Sequence, residues 1–353
     1  VSETGVATVT ELALTVIVPA RNEADVLGPC LASLVGQSEP GWELGEDWEV
    51  IVVDDGSTDA TRAVAEAVVG VKVLEAPALT EGDAAWFTGK NNACWAGAQA
   101  ARGRLLVFTD ADTLHTLGSL SRARHELEKY VVGMLSYSPK QLTSGLAQQV
   151  LMPLVFAELA LAYPMKRVNA LEDKMAAANG QFIMVVAEDY FDVGGHKGVG
   201  LEVLEDVALA KAFKRRKKGL RFRYAPDALS TRMYRTTGAM IEGWTKNLAL
   251  LFGSPVVMAA MRLLDLLLIV GLPALAILYP FDLQIKRTLI LLVWVRVLWR
   301  FYARVAKSNF SAVDCAVSVV GLPLFCFLLV RSAFEVRIRR KVEWKGRSYR
   351  TGA

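Results

Sequence analysis

The chain has 353 residues, of which 53% are apolar and 22% charged; this excludes a disordered chain, a collagen-like repeat and a disulfide scaffold, and leaves length for two domains. The net charge of +4 hides an asymmetry: residues 331–353 carry eight Lys/Arg against two Glu, a net +6, which leaves −2 for the first 330 residues. A basic tail beside apolar runs speaks against nucleic acid as a partner and for an anionic membrane surface.

No basic segment followed by an apolar core opens the sequence, so no signal peptide is expected. Residues 13–20 form an apolar run ending at Pro19-Ala20, read as a strand, and Arg21-Asn22-Glu23 follow it. Val26, Leu27, Cys30, Leu31 and Leu34 then recur at helical spacing. Strands are expected at 48–53, before Asp54-Asp55-Gly56-Ser57-Thr58-Asp59, and at 71–75. A helix near 90–101 leads to a fourth strand, 104–109, which ends in Asp110-Ala111-Asp112. Short buried strands alternating with helices mean an open α/β sheet, whose ligand crevice lies at the strands' carboxyl ends. Three polar clusters therefore converge on one place. The cysteines Cys30, Cys94, Cys315 and Cys326 have neither metal nor disulfide spacing, as expected in a reducing cytoplasm.

The second half changes character. Residues 146–163 contain a single charge, Glu158, and read either as a buried core helix or as an interfacial one. Three apolar runs follow, 266–281, 288–303 and 315–330; the first and third approach bilayer-spanning length once their flanking charges snorkel. Arg296, Arg300 and Arg304 form a one-face stripe on the middle run, which suits protein or headgroups better than lipid.

Each carboxylate cluster has a bland reading and a chemical one. Asp110-x-Asp112 at a strand end matches the demand of Mg²⁺ or Mn²⁺ for one or two carboxylates beside water and phosphate, but such pairs also cap helices. Asp55 or Ser57 caps the helix near Thr61 or holds a base or ribose. Pro19 to Glu23 is a turn or part of the same crevice. Together they resemble glycosyltransferase family 2, whose members show a strand ending in Pro-x-x-Asn-Glu, then Val-Asp-Asp-Gly-Ser-x-Asp-x-Thr, then an Asp-x-Asp strand end; Val53 to Thr61 supply the second of these. Thr88-Gly89-Lys90-Asn91-Asn92-Ala93 resembles the family's donor-side Gly-Lys-x-x-Ala segment, and Glu205-Asp206-Val207-Ala208-Leu209-Ala210 its catalytic-base helix start. Arg232-Met233-Tyr234 and Glu242-Gly243-Trp244-Thr245-Lys246-Asn247 are similar to membrane-attached members that glycosylate carotenoid, hopanoid or ceramide-type lipids. Processive members carry Gln/Arg-x-x-Arg-Trp here; Ile241-Glu242-Gly243-Trp244 keeps only the tryptophan.

The resemblance implies a GT-A type nucleotide-diphospho-sugar transferase fold, a mixed Rossmann-like α/β sheet, followed by membrane helices. It implies a cytoplasmic catalytic domain over 1–250, a membrane region over 251–335 with apolar segments at about 262–281, 286–304 and 313–331, and a basic cytoplasmic tail over 336–353, at the cell membrane. The implied activity is metal-dependent, inverting transfer of one sugar, UDP-glucose being the family-weighted donor, to a membrane lipid. Asp206 is the implied base with Glu205 beside it, and Asp112 the metal ligand supported by Asp110. The donor set is Pro19, Ala20, Arg21, Glu23, Asp54, Asp55, Lys90, Asp110, Ala111, Arg232, Trp244 and Lys246. His196, in a glycine-rich loop, is either a surface residue or an acceptor contact. Lys214 to Lys218 read as a solvated helix end. Alternatives are a polyprenyl-phosphate or polysaccharide-type transferase of the same family, a phosphoribosyltransferase, and a non-catalytic membrane scaffold. Two cytoplasmic ends require an even number of crossings, so one apolar segment is expected not to cross: the arginine-striped run, or 266–281 with Pro273 and Pro280.

Overall fold

A computed structural model describes residues 12–38, 41–79, 87–278, 284–339, 341–344 and 347–350, the last two stretches by their backbone. The chain divides into two compact units, Val1–Lys140 with Met165–Thr231, and Gln141–Pro164 with Arg232–Ala353.

The first unit is built on strands β1 (Leu12–Ala20), β2 (Trp48–Asp54), β3 (Val71–Glu75), β4 (Gly103–Thr109), β5 (Thr113–His115), β6 (Met134–Ser138), β7 (Lys140–Gln141, at the boundary), β8 (Phe182–Val186), β9 (Leu220–Tyr224) and β10 (Leu229–Thr231). Seven of them form one sheet in the order β3-β2-β1-β4-β8-β6-β9. β3, β2, β1 and β4 run parallel, β8 runs antiparallel to both its neighbours, and β6 and β9 are parallel. Every residue of β2 is buried, as its apolar stretch from Val50 to Val53 predicts for a strand covered on both faces, and the buried Glu49 is paired with Thr15 and Arg102. Register aligns the ends: Ala20 stands opposite Asp54, and Ile17 opposite Phe108. β5 and β10 pair separately, Thr113 opposite Thr231.

The second unit does not begin at residue 250. Helices Leu146–Ala162 and Thr237–Leu251 belong to it, because Leu151, Leu154, Trp244 and Leu248 share one core with Phe325 and Leu328. Helix Leu146–Ala162 is thus a buried core helix rather than an interfacial one; Val150 to Val155 are all enclosed. Two segments, Pro255–Leu278 and Ala312–Arg339, are long and apolar enough to cross a membrane. The arginine-striped helix Gln284–Val305 is not among them. Pro280 lies outside the described residues, as do Lys345 and Gly346 between the paired strands β11 (Lys341–Trp344) and β12 (Arg347–Arg350).

The basic run also differs from its expected solvated state. Arg215, Arg216 and Lys217 are exposed, but Lys214 is buried, and its Nζ donates to the carbonyls of Arg167, Ala170 and Asp173 at 3.3, 2.8 and 2.8 Å. A turn that leaves three carbonyls converging inward takes the nearest ammonium.

Candidate active site

The first two polar clusters interlock. Asn22, with a left-handed φ of 53°, turns the chain sharply after β1. Its amide donates to Ser57 Oγ at 3.0 Å and its Oδ1 accepts from the Thr58 amide at 2.8 Å. The Glu23 amide donates to Thr61 Oγ1 at 2.8 Å and the Ala24 amide to Asp59 Oδ2 at 3.2 Å. Much of the Asn-Glu and Ser-x-Asp-x-Thr signature is thus a clasp that fixes two strand ends. What it presents is Asp54, whose Oδ1 accepts from the Ser57 amide and hydroxyl, and Asp55, 3.6 Å from Arg21. Pro19 closes β1 opposite Val53, where its missing N–H costs little; Ala20 and Ala111 are buried in the strand-end row.

The third cluster meets the segments at 88–93 and 204–210. Helix Gly89–Ala100 starts at Thr88, whose hydroxyl accepts from the Asn91 amide. Asn91 Nδ2 donates to the carbonyls of Val199, Gly200 and Glu202, at 3.1, 2.9 and 3.3 Å, and so ties this helix to the loop that precedes Glu205. Lys90 then bridges two carboxylates, Asp110 Oδ1 and Glu205 Oε1, each at 2.8 Å. Asp206, in the first turn of helix Glu205–Arg215, accepts from the Gly180 amide at 3.0 Å and from the Val207 amide at 2.7 Å. Gly180 is needed for closeness: a Cβ there would stand 3.1 Å from Lys90 Nζ and 3.4 Å from Glu205 Oε1. Thr109 Oγ1 donates to the Gln181 carbonyl at 2.8 Å, and Thr231 Oγ1 to the Asp112 carbonyl at 3.2 Å. Asp110, Lys90, Glu205 and Asp206 thus form one continuous charged seam at the sheet's carboxyl edge.

The sequence profile described as Glycosyl transferase family 2 matches residues 15–149, which carry the Asp-Asp and Asp-x-Asp strand ends. The chain is a glycosyltransferase whose residues 15–149 match family 2. Over nearly its whole length it is similar to the 4,4'-diaponeurosporenoate glycosyltransferases of Staphylococcus aureus: 28% identity over 346 residues to that of strain MRSA252 and 28% over 349 residues to that of strain USA300, covering 96% of this chain and 88% of each relative. Among solved structures, the mannosyltransferase PcManGT of Pyrobaculum calidifontis, in complex with GDP-Man and Mn²⁺, superposes with a TM-score of 0.47 at 18% identity, over 93% of this chain and 87% of that one. TarS 1-349 of S. aureus in complex with UDP-GlcNAc gives 0.45 at 14% identity, over 97% of both.

Burial sets the electrostatics of the transferase. It pushes the Asp206 carboxyl up to about 7, with Glu205 adding to the rise and Lys90 opposing it. Burial likewise lifts Asp55 to about 6, Arg21 working against it. Burial alone would depress Lys90, but Asp110 and Glu205 outweigh it and hold the ammonium well above its ordinary value. The residues present fit a divalent cation by donor chemistry: Asp110 and Asp112 offer an all-oxygen, two-carboxylate set, and hard cations complete such a set with water and phosphate. No cluster of three His/Cys/Asp/Glu ligands occurs among the described residues, so such a cation would depend on substrate for the rest of its shell.

The transferase departs from its sequence expectations at two residues. His196 is neither on the surface nor open to a ligand. It is buried against Phe108, its Nδ1 pairs with the Tyr190 hydroxyl at 2.9 Å, and burial pulls its pKa down to about 4. Trp244 is enclosed in the core of the second unit, its indole N–H directed at Met152 Sδ, which makes it a packing residue. Arg232 and Lys246 also lie in the second unit. Sequence reasoning missed Gly180, Asn91 and Asn179. The polar run Asn179-Gly180-Gln181 before the apolar β8 is the signal that finds the first and last. Asn179 receives the same kind of clasp as Asn22: its amide donates to Ser136 Oγ at 2.8 Å and its Oδ1 accepts from the Gln181 amide at 3.0 Å.

Proposed function

We propose that the transferase moves a single sugar, with inversion, from a nucleoside-diphosphate sugar to a hydroxyl or carboxyl group of a carotenoid-type membrane lipid. The observation that carries the proposal is the seam itself. Asp110 on the donor side is joined through Lys90 to Glu205, with Asp206 next to it on the acceptor side.

The donor diphosphate lies over the ends of β1, β2 and β4, with Asp54 and Asp55 toward the nucleoside. Asp112, with Asp110 behind it, would hold a Mg²⁺ or Mn²⁺ ion that acts as a Lewis acid on the leaving diphosphate. Lys90 supplies positive charge on the same side, and the resemblance adds Arg232 and Lys246. For a hydroxyl acceptor, Asp206 takes the proton as the acceptor oxygen bonds to the anomeric carbon and the bond to the diphosphate breaks. A carboxyl near 7 is well matched to that task at neutral pH. A carboxylate acceptor is ionised already and needs positioning more than a base. The size of the Asp206→Asn defect therefore reads the acceptor's chemistry.

Membrane attachment rests on composition. Leu263, Leu264, Leu267, Val270 and Ile277 on one apolar helix, and Leu289, Leu292, Val293 and Val295 on the next, are exposed together, an apolar surface that water does not tolerate. The experiment is release of nucleoside diphosphate by the purified protein from a panel of nucleotide sugars. A carotenoid acid in vesicles should stimulate release with one donor. Stimulation by growing saccharide instead would favour the polysaccharide-type alternative.

A further inference from the structure

The second unit holds a charged cluster that sugar transfer does not use. Helices Pro255–Leu278 and Gln284–Val305 pack side by side, and Trp294 Nε1 donates across them to the Ile269 carbonyl at 2.9 Å. Asp265, 2% exposed, receives three arginines: Arg262 at 3.2 Å, Arg300 at 2.7 Å and Arg304 at 2.8 Å. Glu158, also buried, takes Arg262 at 3.1 Å and lies 4.0 Å from Arg304. Three guanidiniums against two carboxylates leave one positive charge in excess. Arg262 Nε is moreover buried with no hydrogen-bond acceptor. Among apolar helices such an excess is costly unless an anion completes it.

The excess reaches the surface at one place. Arg262 and Arg304 are largely enclosed, whereas the Arg300 side chain is 53% exposed. Arg296 lies one turn earlier on the same face, itself exposed, with its guanidinium 4.6 Å from the ring centre of the exposed Trp299. Leu292 and Val295 are exposed on the same helix. Two guanidinium forks about one helical turn apart fit a phosphate, and the apolar neighbours fit acyl chains rather than a free ion. We infer that Arg296 and Arg300 bind the phosphate of an anionic phospholipid. Glu158, Arg262, Asp265 and Arg304 form the fixed base that anchors Arg300, whose Nη2 rests on Asp265 Oδ1 at 2.7 Å while the side chain stays 53% exposed. This site is independent of the reading given to Asp206 and Asp112.

The test uses the full chain in a neutral detergent, titrated with short-chain phosphatidylglycerol and followed by native mass spectrometry of the protein–lipid complex. The expected result is saturable binding of phosphatidylglycerol and little binding of phosphatidylcholine. Arg296→Gln and Arg300→Gln should each weaken phosphatidylglycerol about tenfold. Arg296 makes no contact with Asp265, so Arg296→Gln carries the test if Arg300→Gln fails to fold. Equal binding of phosphatidylcholine, full displacement by inorganic phosphate, or unchanged affinity in Arg296→Gln would overturn the inference. So would a rise in KM for the sugar acceptor with phosphatidylglycerol affinity unchanged, since the arginines would then serve the acceptor.

Discussion

Replacing Lys90 by methionine removes the cation that joins the donor and acceptor sides of the site. A Cβ on Gly180 would lie 3.1 Å from Lys90 Nζ and 3.7 Å from Asp206 Cβ, so the ammonium stands within about 7 Å of the Asp206 Cβ and, with the carboxyl oxygens farther along the side chain, within about 9 Å of the charge. Two unit charges at about 9 Å, at an effective dielectric of about 20, interact by ~2 kcal/mol. The Lys90 side chain is 37% exposed, and solvent screening reduces this to roughly 1–2 kcal/mol, or about one pH unit. The sign follows from the charges. Lys90 favours the ionised form of Asp206, so its loss lifts that carboxyl above its present value of about 7. A base must be ionised to accept a proton. The acid limb of the kcat/KM profile of Lys90→Met, measured on a hydroxyl acceptor, should therefore move about one unit alkaline. A limb that stays in place while the rate falls equally at every pH would refute the coupling and leave Lys90 as a donor contact alone.

Asp112→Asn should remove almost all transfer with thermal unfolding unchanged, and chelation with EDTA should do the same to the native chain; full activity in EDTA contradicts the metal assignment. Asp206 also predicts a stability trend. Its folded value of about 7 lies above the ordinary 3.8, so its contribution is present below about 4 and is lost as pH rises through 7. The native Tm should fall between about pH 4 and pH 7 by the equivalent of up to ~4 kcal/mol, and that slope should flatten in Asp206→Asn; an unchanged slope means the carboxyl is not perturbed. Trp244→Ala should cost about 3 kcal/mol through loss of core packing and leave donor affinity intact in the folded fraction. Weakened donor binding at normal stability would return Trp244 to the donor set.

The parallel half of the sheet was legible in the sequence because its strands are short and apolar and most of them end in acids, whereas β8, β6 and β9 were not anticipated. β1, β2, β3 and β4 lie within a residue or two of their expected bounds, and the crevice rule places their polar ends together. Pairings across long sequence separations were not legible. Lys90 with Glu205, and Asn91 with the carbonyls of Val199 to Glu202, depend on where a loop returns, which periodicity does not encode. His196 and Lys214 were misjudged for a related reason. A polar side chain in a glycine-rich loop or a basic run is usually solvated, but each of these finds buried partners, the Tyr190 hydroxyl and three inward carbonyls, that local sequence does not reveal. The boundary at 250 followed hydropathy, whereas helix Leu146–Ala162 packs according to its apolar surface, about a hundred residues ahead of the helices it joins.

The most direct test of single-sugar inverting transfer with Asp206 as base is the anomeric configuration of the product, read by NMR from an α-configured nucleotide sugar and a hydroxyl-bearing lipid, with native enzyme and with Asp206→Asn. The native enzyme should give one β-linked sugar per acceptor, and Asp206→Asn almost none despite nucleotide binding within about twofold of native. An α-linked product, a chain of sugars, or native-like turnover by Asp206→Asn would contradict inverting transfer with Asp206 as base.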